Sequence, residues 1–215
     1  MRQCDQIERF VLVTSEAPGF PEVAAVLEAV DFVPVMRHTL AEPVGETANM
    51  AQALQRAFAL SDWAVVLEAS VAPAPDFLNF ALWGLRTFCG DPTVAAICGH
   101  PPEAALAAAP DRQRLGMARR AHWFSPLGWA TWKDRWETFF YHCLDLRLAQ
   151  RPWDCFFNYN YLLARRERVC LYPEVGRTQS AAEPAPAASG DRPAPDWNAG
   201  GYYGLARPDD FRLVE

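Results

Sequence analysis

Trp63-Ala-Val-Val-Leu67 and Thr93-Val-Ala-Ala-Ile-Cys98 are two short apolar runs, and between them Pro75-Asp76 opens a segment reaching about Phe88. Both runs read as buried strands, because neither alternates with polar residues as a half-solvated strand would. Asp76 is placed to cap a helix over the intervening segment. Strand, helix and strand in that order make one crossover unit of an α/β fold.

The same alternation continues toward the N-terminus. Thr47 is placed to cap a helix running to about Leu60, with Met50, Leu54, Ala57 and Phe58 on its inward face. Phe32-Val-Pro-Val-Met36 reads as a strand, and Pro21 to Val30 as a helix with proline in its first turn. Arg9-Phe-Val-Leu-Val-Thr14 is a further β-rich run. The expected fold is therefore α/β: a Rossmann-like, mostly parallel sheet with helices on both faces. Ligands of such sheets bind beyond the carboxyl ends of the strands, which points to Thr14–Ala17 and to Glu68–Ser70.

Toward the C-terminus the chain turns aromatic, with Trp123, Trp129, Trp132 and Trp136 inside fourteen residues. The last three are spaced i, i+3, i+7, one helix face that reads as a core stripe, with a sugar-stacking platform as the alternative. A second helix is expected from about Asp154 to Arg166, then a strand over Arg168–Tyr172. Beyond Ser180 the sequence becomes a low-complexity run of Ala and Pro. The expected organisation is one domain over residues 1–180 and a Pro/Ala-rich loop with an irregular C-terminal arm over 181–215. Trp197, Tyr202, Tyr203 and Phe211 are the residues expected to dock that arm.

Composition narrows the function classes. The chain has 215 residues, 51% of them hydrophobic, and a formal charge of −6. With no block of basic residues it is poorly suited to gripping nucleic acid through phosphates. Its apolar stretches fall far short of the roughly 20 residues that cross a bilayer. Residues Met1–Arg9 carry acids and no apolar centre, unlike a secretory signal. Six scattered cysteines, none in a Cys-x-x-Cys pair, read as reduced thiols. The expectation is a soluble, cytoplasmic protein with no membrane span. The sequence shows no internal repeat, phosphate loop or Gly-x-Ser-x-Gly elbow.

Three segments, in order, carry a resemblance. They are Val65-Val-Leu-Glu-Ala-Ser-Val-Ala-Pro-Ala-Pro-Asp-Phe77, Gly128-Trp-Ala-Thr-Trp-Lys133, and Trp153-Asp154 followed by Tyr172-Pro-Glu-Val-Gly-Arg-Thr178. As a set, from about Phe10 to Thr178, they resemble GT-A-fold glycosyltransferases. The likeness is to the N-acetylglucosaminyltransferase that begins complex N-glycans and to bacterial sugar transferases with a Trp-Gly-Trp-Ala-Thr-Trp motif. The resemblance implies transfer of a sugar from a nucleotide-sugar donor to an acceptor hydroxyl, commonly with inversion. Such chemistry needs a general base for the acceptor proton and positive charge, or a divalent metal, for the departing diphosphate.

On this resemblance Asp154 matches the base, although an aspartate opening a helix also serves as a cap. Glu68, Ala69 and Ser70 stand where the family has Glu-Asp-Asp, whose last acid holds a manganese or magnesium ion. Ser70 offers a neutral hydroxyl, a poor ligand for a hard cation, so conventional metal binding is not expected. Arg177, or Arg119 and Arg120, would then supply the charge. Glu16 matches an acid beside the nucleoside, and Gly128 and Trp129 match a loop lining the sugar site. The family's βα unit before its first matched strand has no counterpart in the nine residues before Phe10. A homodimer or a partner subunit would complete such a pocket. Two alternatives stand beside the transferase: a degenerate, non-catalytic relative acting as a binding or scaffold subunit, and an enzyme repurposed for other chemistry.

Overall fold

The computed structural model describes residues 11–16, 21–68, 70–101, 114–141, 153–158, 162, 167–180 and 210–214. The N-terminal elements are β1 (Leu12–Glu16), α1 (Pro21–Glu28), β2 (Val35–Thr39) and α2 (Glu46–Phe58). The central elements are β3 (Trp63–Val66), β4 (Val71–Pro73), α3 (Phe77–Thr87) and β5 (Val94–Cys98). After β6 (Met117–Ala121) and β7 (Trp129–Trp132), a helical turn at Lys133–Arg135 widens into π-helical Trp136–Phe140; together these are α4. Last come α5 (Trp153–Phe157), β8 (Val169–Pro173), β9 (Thr178–Ser180) and β10 (Arg212–Leu213).

The α/β class stands, but the main sheet is mixed rather than mostly parallel. Its six strands run β10-β6-β8-β5-β7-β3. Only β10–β6 and β5–β8 pair in parallel; β6–β8, β5–β7 and β3–β7 are antiparallel. The expected crossover from β3 through α3 to β5 exists, yet β7 lies between its two strands. A parallel β1–β2 ribbon and an antiparallel β4–β9 ribbon complete the pairings.

Alternation along the strands sends side chains to two cores. Ala64, Cys98, Trp129, Cys170 and Tyr172 meet Met50, Leu54 and Phe58 of α2 and Phe140 and Phe157 of α4 and α5. On the other face Val94, Ile97, Ala130 and Leu171 meet Phe80, Leu85 and Phe88 around α3. Helices thus cover both faces, as the apolar runs imply. Gly84 lets α3 approach, since a Cβ there would sit 2.7 Å from Ile97 Cδ1.

Three local expectations change. Thr47 is buried inside α2, and Gly45, at φ 79°, is the residue that precedes the helix. Asp76 stands before α3 without a capping hydrogen bond, because its carboxylate bonds Arg177 instead. Trp129 and Trp132 belong to a strand, so only Trp136 is helical and no single tryptophan face exists. The predicted helix over Asp154–Arg166 is described only as α5 and isolated residues beyond it, and the run from 181 to 209 lies outside the described residues, including Trp197, Tyr202 and Tyr203. Phe211 does dock: it is buried, and its ring packs edge-on to Phe80 at 5.4 Å and beside Trp83 at 5.8 Å.

Candidate functional site

Four chain segments meet at the carboxyl end of β3. After Leu67 the chain turns at Glu68, whose carbonyl accepts from Val71 N at 3.0 Å, and returns as β4. Pairing of Val71 with Ser180 and of Pro73 with Thr178 lays β9 beside this turn. Gly128 arrives next, just before β7. Its φ of 74° suits glycine, and a Cβ would stand 2.5 Å from Thr178 Cγ2 and 3.4 Å from Leu67 Cδ2. The fourth segment is the end of β5: Gly99 N donates to Gly128 O at 2.7 Å, and Arg177 N donates to Gly99 O at 2.8 Å. Glu68 and Ser70, both half-buried, therefore share one rim with Gly128 and Thr178.

His100 joins them. Its Nδ1 lies 3.0 Å from Thr178 O. A carbonyl only accepts, so Nδ1 carries the proton and Nε2 is the ring's remaining basic position. Sequence reasoning missed this residue, although the carboxyl-end rule applied to β5 as well as to β3 leads directly to Gly99-His100.

Asp154 is the second residue of α5, and it is half-buried. Burial pushes its carboxyl above the ordinary aspartate range, while hydrogen bonding with the backbone at Asp154 and Cys155 pulls the other way. The position of α5 is fixed from its far end. Asn158 accepts from Phe124 N at 2.7 Å and donates to Phe124 O at 2.9 Å, and the Phe157 and Phe140 rings stack at 3.7 Å. Phe124 begins the loop that leads to Gly128, so Asp154 rides on an element tied to the rim of the site.

The other expected residues stand differently. Trp129 is fully buried, edge-on to Phe124 at 4.9 Å and stacked on Phe140 at 5.2 Å. It supports the site from beneath and offers no ring to a sugar. Arg177 is fully enclosed as well. Its Nε donates to Asp76 Oδ2 at 2.9 Å, and its Nη groups donate to Val175 O and Leu115 O. The charge expected to meet a diphosphate is instead neutralised inside the domain. Burial raises the Asp76 carboxyl, and Arg177 pulls it back. Arg119 and Arg120 lie on β6, across β7, β5 and β8 from β3. They pair with Glu174 at 3.2 Å and with Asp91 at 3.3 Å. Neither is brought to the Glu68 turn. Glu16 is the last residue of β1, and Ala69 lies outside the described residues.

The donors at the turn do not fit a hard divalent cation. Ser70 supplies only a neutral hydroxyl, a poor ligand for such an ion. Among the described residues no group of three or more His, Cys, Asp or Glu side chains gathers as a metal site would require. No described helix is long and apolar enough to cross a membrane. No protein-family model matches this chain, and no curated protein matches it in sequence.

Proposed function

We propose that this chain is a GT-A-like transferase that moves a sugar from a nucleotide-sugar to an acceptor hydroxyl, with inversion and without a conventional metal site. The observation that supports this reading is the meeting of the Glu68–Ser70 turn with Gly128, Thr178 and His100 at the carboxyl end of β3. The resemblance of the three sequence segments supplies the reaction. In it Asp154 accepts the acceptor proton as the hydroxyl attacks the anomeric carbon, and a carboxyl raised by burial is the stronger base for that step. The diphosphate leaves from the Glu68–Ser70 side. Ser70 donates its hydroxyl hydrogen there, and the His100 ring, held through Nδ1 by Thr178 O, is a further polar partner for the leaving group. Glu16 faces the nucleoside in this scheme.

Calorimetric titration with nucleotide diphosphates and nucleotide-sugars, with and without manganese, tests the proposal. Binding without manganese, weakened in His100→Gln, is the expected result. Absence of binding in both conditions removes the donor site and with it the transferase.

One observation favours a second reading, a non-catalytic relative that acts as a scaffold subunit. No residue of α1 is buried, although the helix is Pro-Glu-Val-Ala-Ala-Val-Leu-Glu; its Val23 and Val26 are 42% and 67% exposed, and Phe32, shortly after it, is 85% exposed. Exposed apolar surface of this kind marks an interaction face. Sedimentation as a monomer at high concentration would exclude a second copy of this chain as the partner of that face.

A further inference from the structure

At the opposite end of β3 the structure holds a cleft. Trp132 pairs with Trp63 and Trp129 with Val66, so β7 leaves beside the start of β3, and Lys133 N donates to Asp62 O at 2.8 Å. There α4 departs across the end of α2 and leaves a cleft of about 420 Å³. That volume lies within the roughly 300–1,000 Å³ of small-molecule sites. It is separated from the Glu68 rim by the length of the strand.

The floor of the cleft is aromatic. Phe58 and Trp136 lie with ring centroids 6.3 Å apart, and both are nearly buried. Tyr141, 51% exposed, makes the wall and meets Trp136 edge-on at 6.0 Å. The polar lining is Lys133 and Glu137, one turn apart on α4, and Gln55 across from them on α2. The two formal charges cancel. An anion would face Glu137 and a cation would face Lys133, so neither matches the set. A hydroxyl both donates and accepts, and it is satisfied by an ammonium, a carboxylate and an amide together. An apolar face that can lie on an aromatic ring completes the match.

We propose that this cleft binds a short neutral saccharide, its hydroxyls on Lys133, Glu137 and Gln55 and its C–H face on Tyr141. The site is independent of the nucleotide-sugar reading, since free saccharide binding here needs no donor.

Lys133 is the only lysine of the chain, which gives a position-specific test. The full chain is acylated with a mild reagent, and mass spectrometry of its peptides then follows the Lys133 amine apart from the α-amine, with Nα-acetyl-lysine as an internal reference. Cellobiose, lactose and N,N′-diacetylchitobiose are the probes. At least one should slow Lys133 acylation roughly tenfold at about ten times its Kd, by mass action. Tyr141→Ala and Gln55→Ala, both at exposed positions, should each abolish the protection without lowering the melting temperature. Three results overturn the proposal: no protection by any of the saccharides, equal protection by inorganic phosphate, or protection that persists in both variants. A chain protected at Lys133 that fails to bind nucleotide in calorimetry would keep this site and lose the transferase.

Discussion

The carboxyl of Asp154 carries a consequence for stability as well as for chemistry. Its pKa in the folded chain lies above the ordinary value, with burial the first cause. Between those two values the folded state binds more protons than the unfolded one. Stability therefore falls as pH rises through that window, and the loss is complete above the folded pKa. Asp154→Asn removes the charged form. The variant should match the parent's melting temperature in acid below the ordinary aspartate pKa and equal or exceed it at neutral pH; under the proposed transferase role it should also lack turnover. A neutral-pH melting temperature below the parent's would identify the carboxylate as a cap whose backbone bonds outweigh its burial. Asp154 and Gly128 were picked out as candidates because each sits in a short motif. His100 was not, because its role comes from one carbonyl 78 positions away. Nothing near it in sequence announces that partner. Arg177 misled for a related reason: a sequence gives the charge but not the neighbour, and here the neighbour is Asp76, 101 positions away.

At the scale of elements, Arg177 is the bolt that holds the segment between β8 and β9 against the start of α3. It joins Asp76 to the carbonyls of Val175 and Leu115 and packs over the Phe211 ring at 5.8 Å. Arg177→Met leaves Asp76 buried without its partner and should cost about 3–5 kcal/mol, the range for breaking one side of a buried pair. Urea denaturation measures it, and a cost below about 1 kcal/mol would mean the segment is held by β9 alone. The existence of most strands was readable, but their directions were not. A run such as Trp129-Ala-Thr-Trp132 is apolar on both sides because both sheet faces are covered, so no period of two appears. The i, i+3 spacing of its tryptophans then imitated a helix turn. Thr131, the one polar residue, is satisfied by Ala95 O at 2.8 Å on the neighbouring strand, a contact that only the folded sheet provides. The antiparallel placement of β7 between β3 and β5 is a matter of tertiary strand pairing, which local patterning does not record.

For the whole molecule, the last described strand matters beyond its two residues. β10 covers the outer side of β6, Val214 N donates to Ala118 O at 2.7 Å, and Phe211 closes the core over α3. Gly116 permits this seating, since a Cβ there would strike Asp210 O. Phe211→Ala should cost about 3–5 kcal/mol, as aromatic truncation in a core does. The check is the urea midpoint, and an unchanged midpoint would show that the C-terminal segment adds nothing to the core. The position of β10 also sets an order of events during synthesis. Every other described strand leaves the ribosome before it, and a long stretch of chain separates it from β9. Until that stretch is translated, β6 presents bare backbone N–H and C=O groups, with Phe80 and Trp83 uncovered next to them. Such an edge is a template for pairing with a neighbouring nascent chain. The growing polypeptide is therefore exposed to misassembly until β10 has emerged, and a translational pause within that stretch would lengthen the exposure.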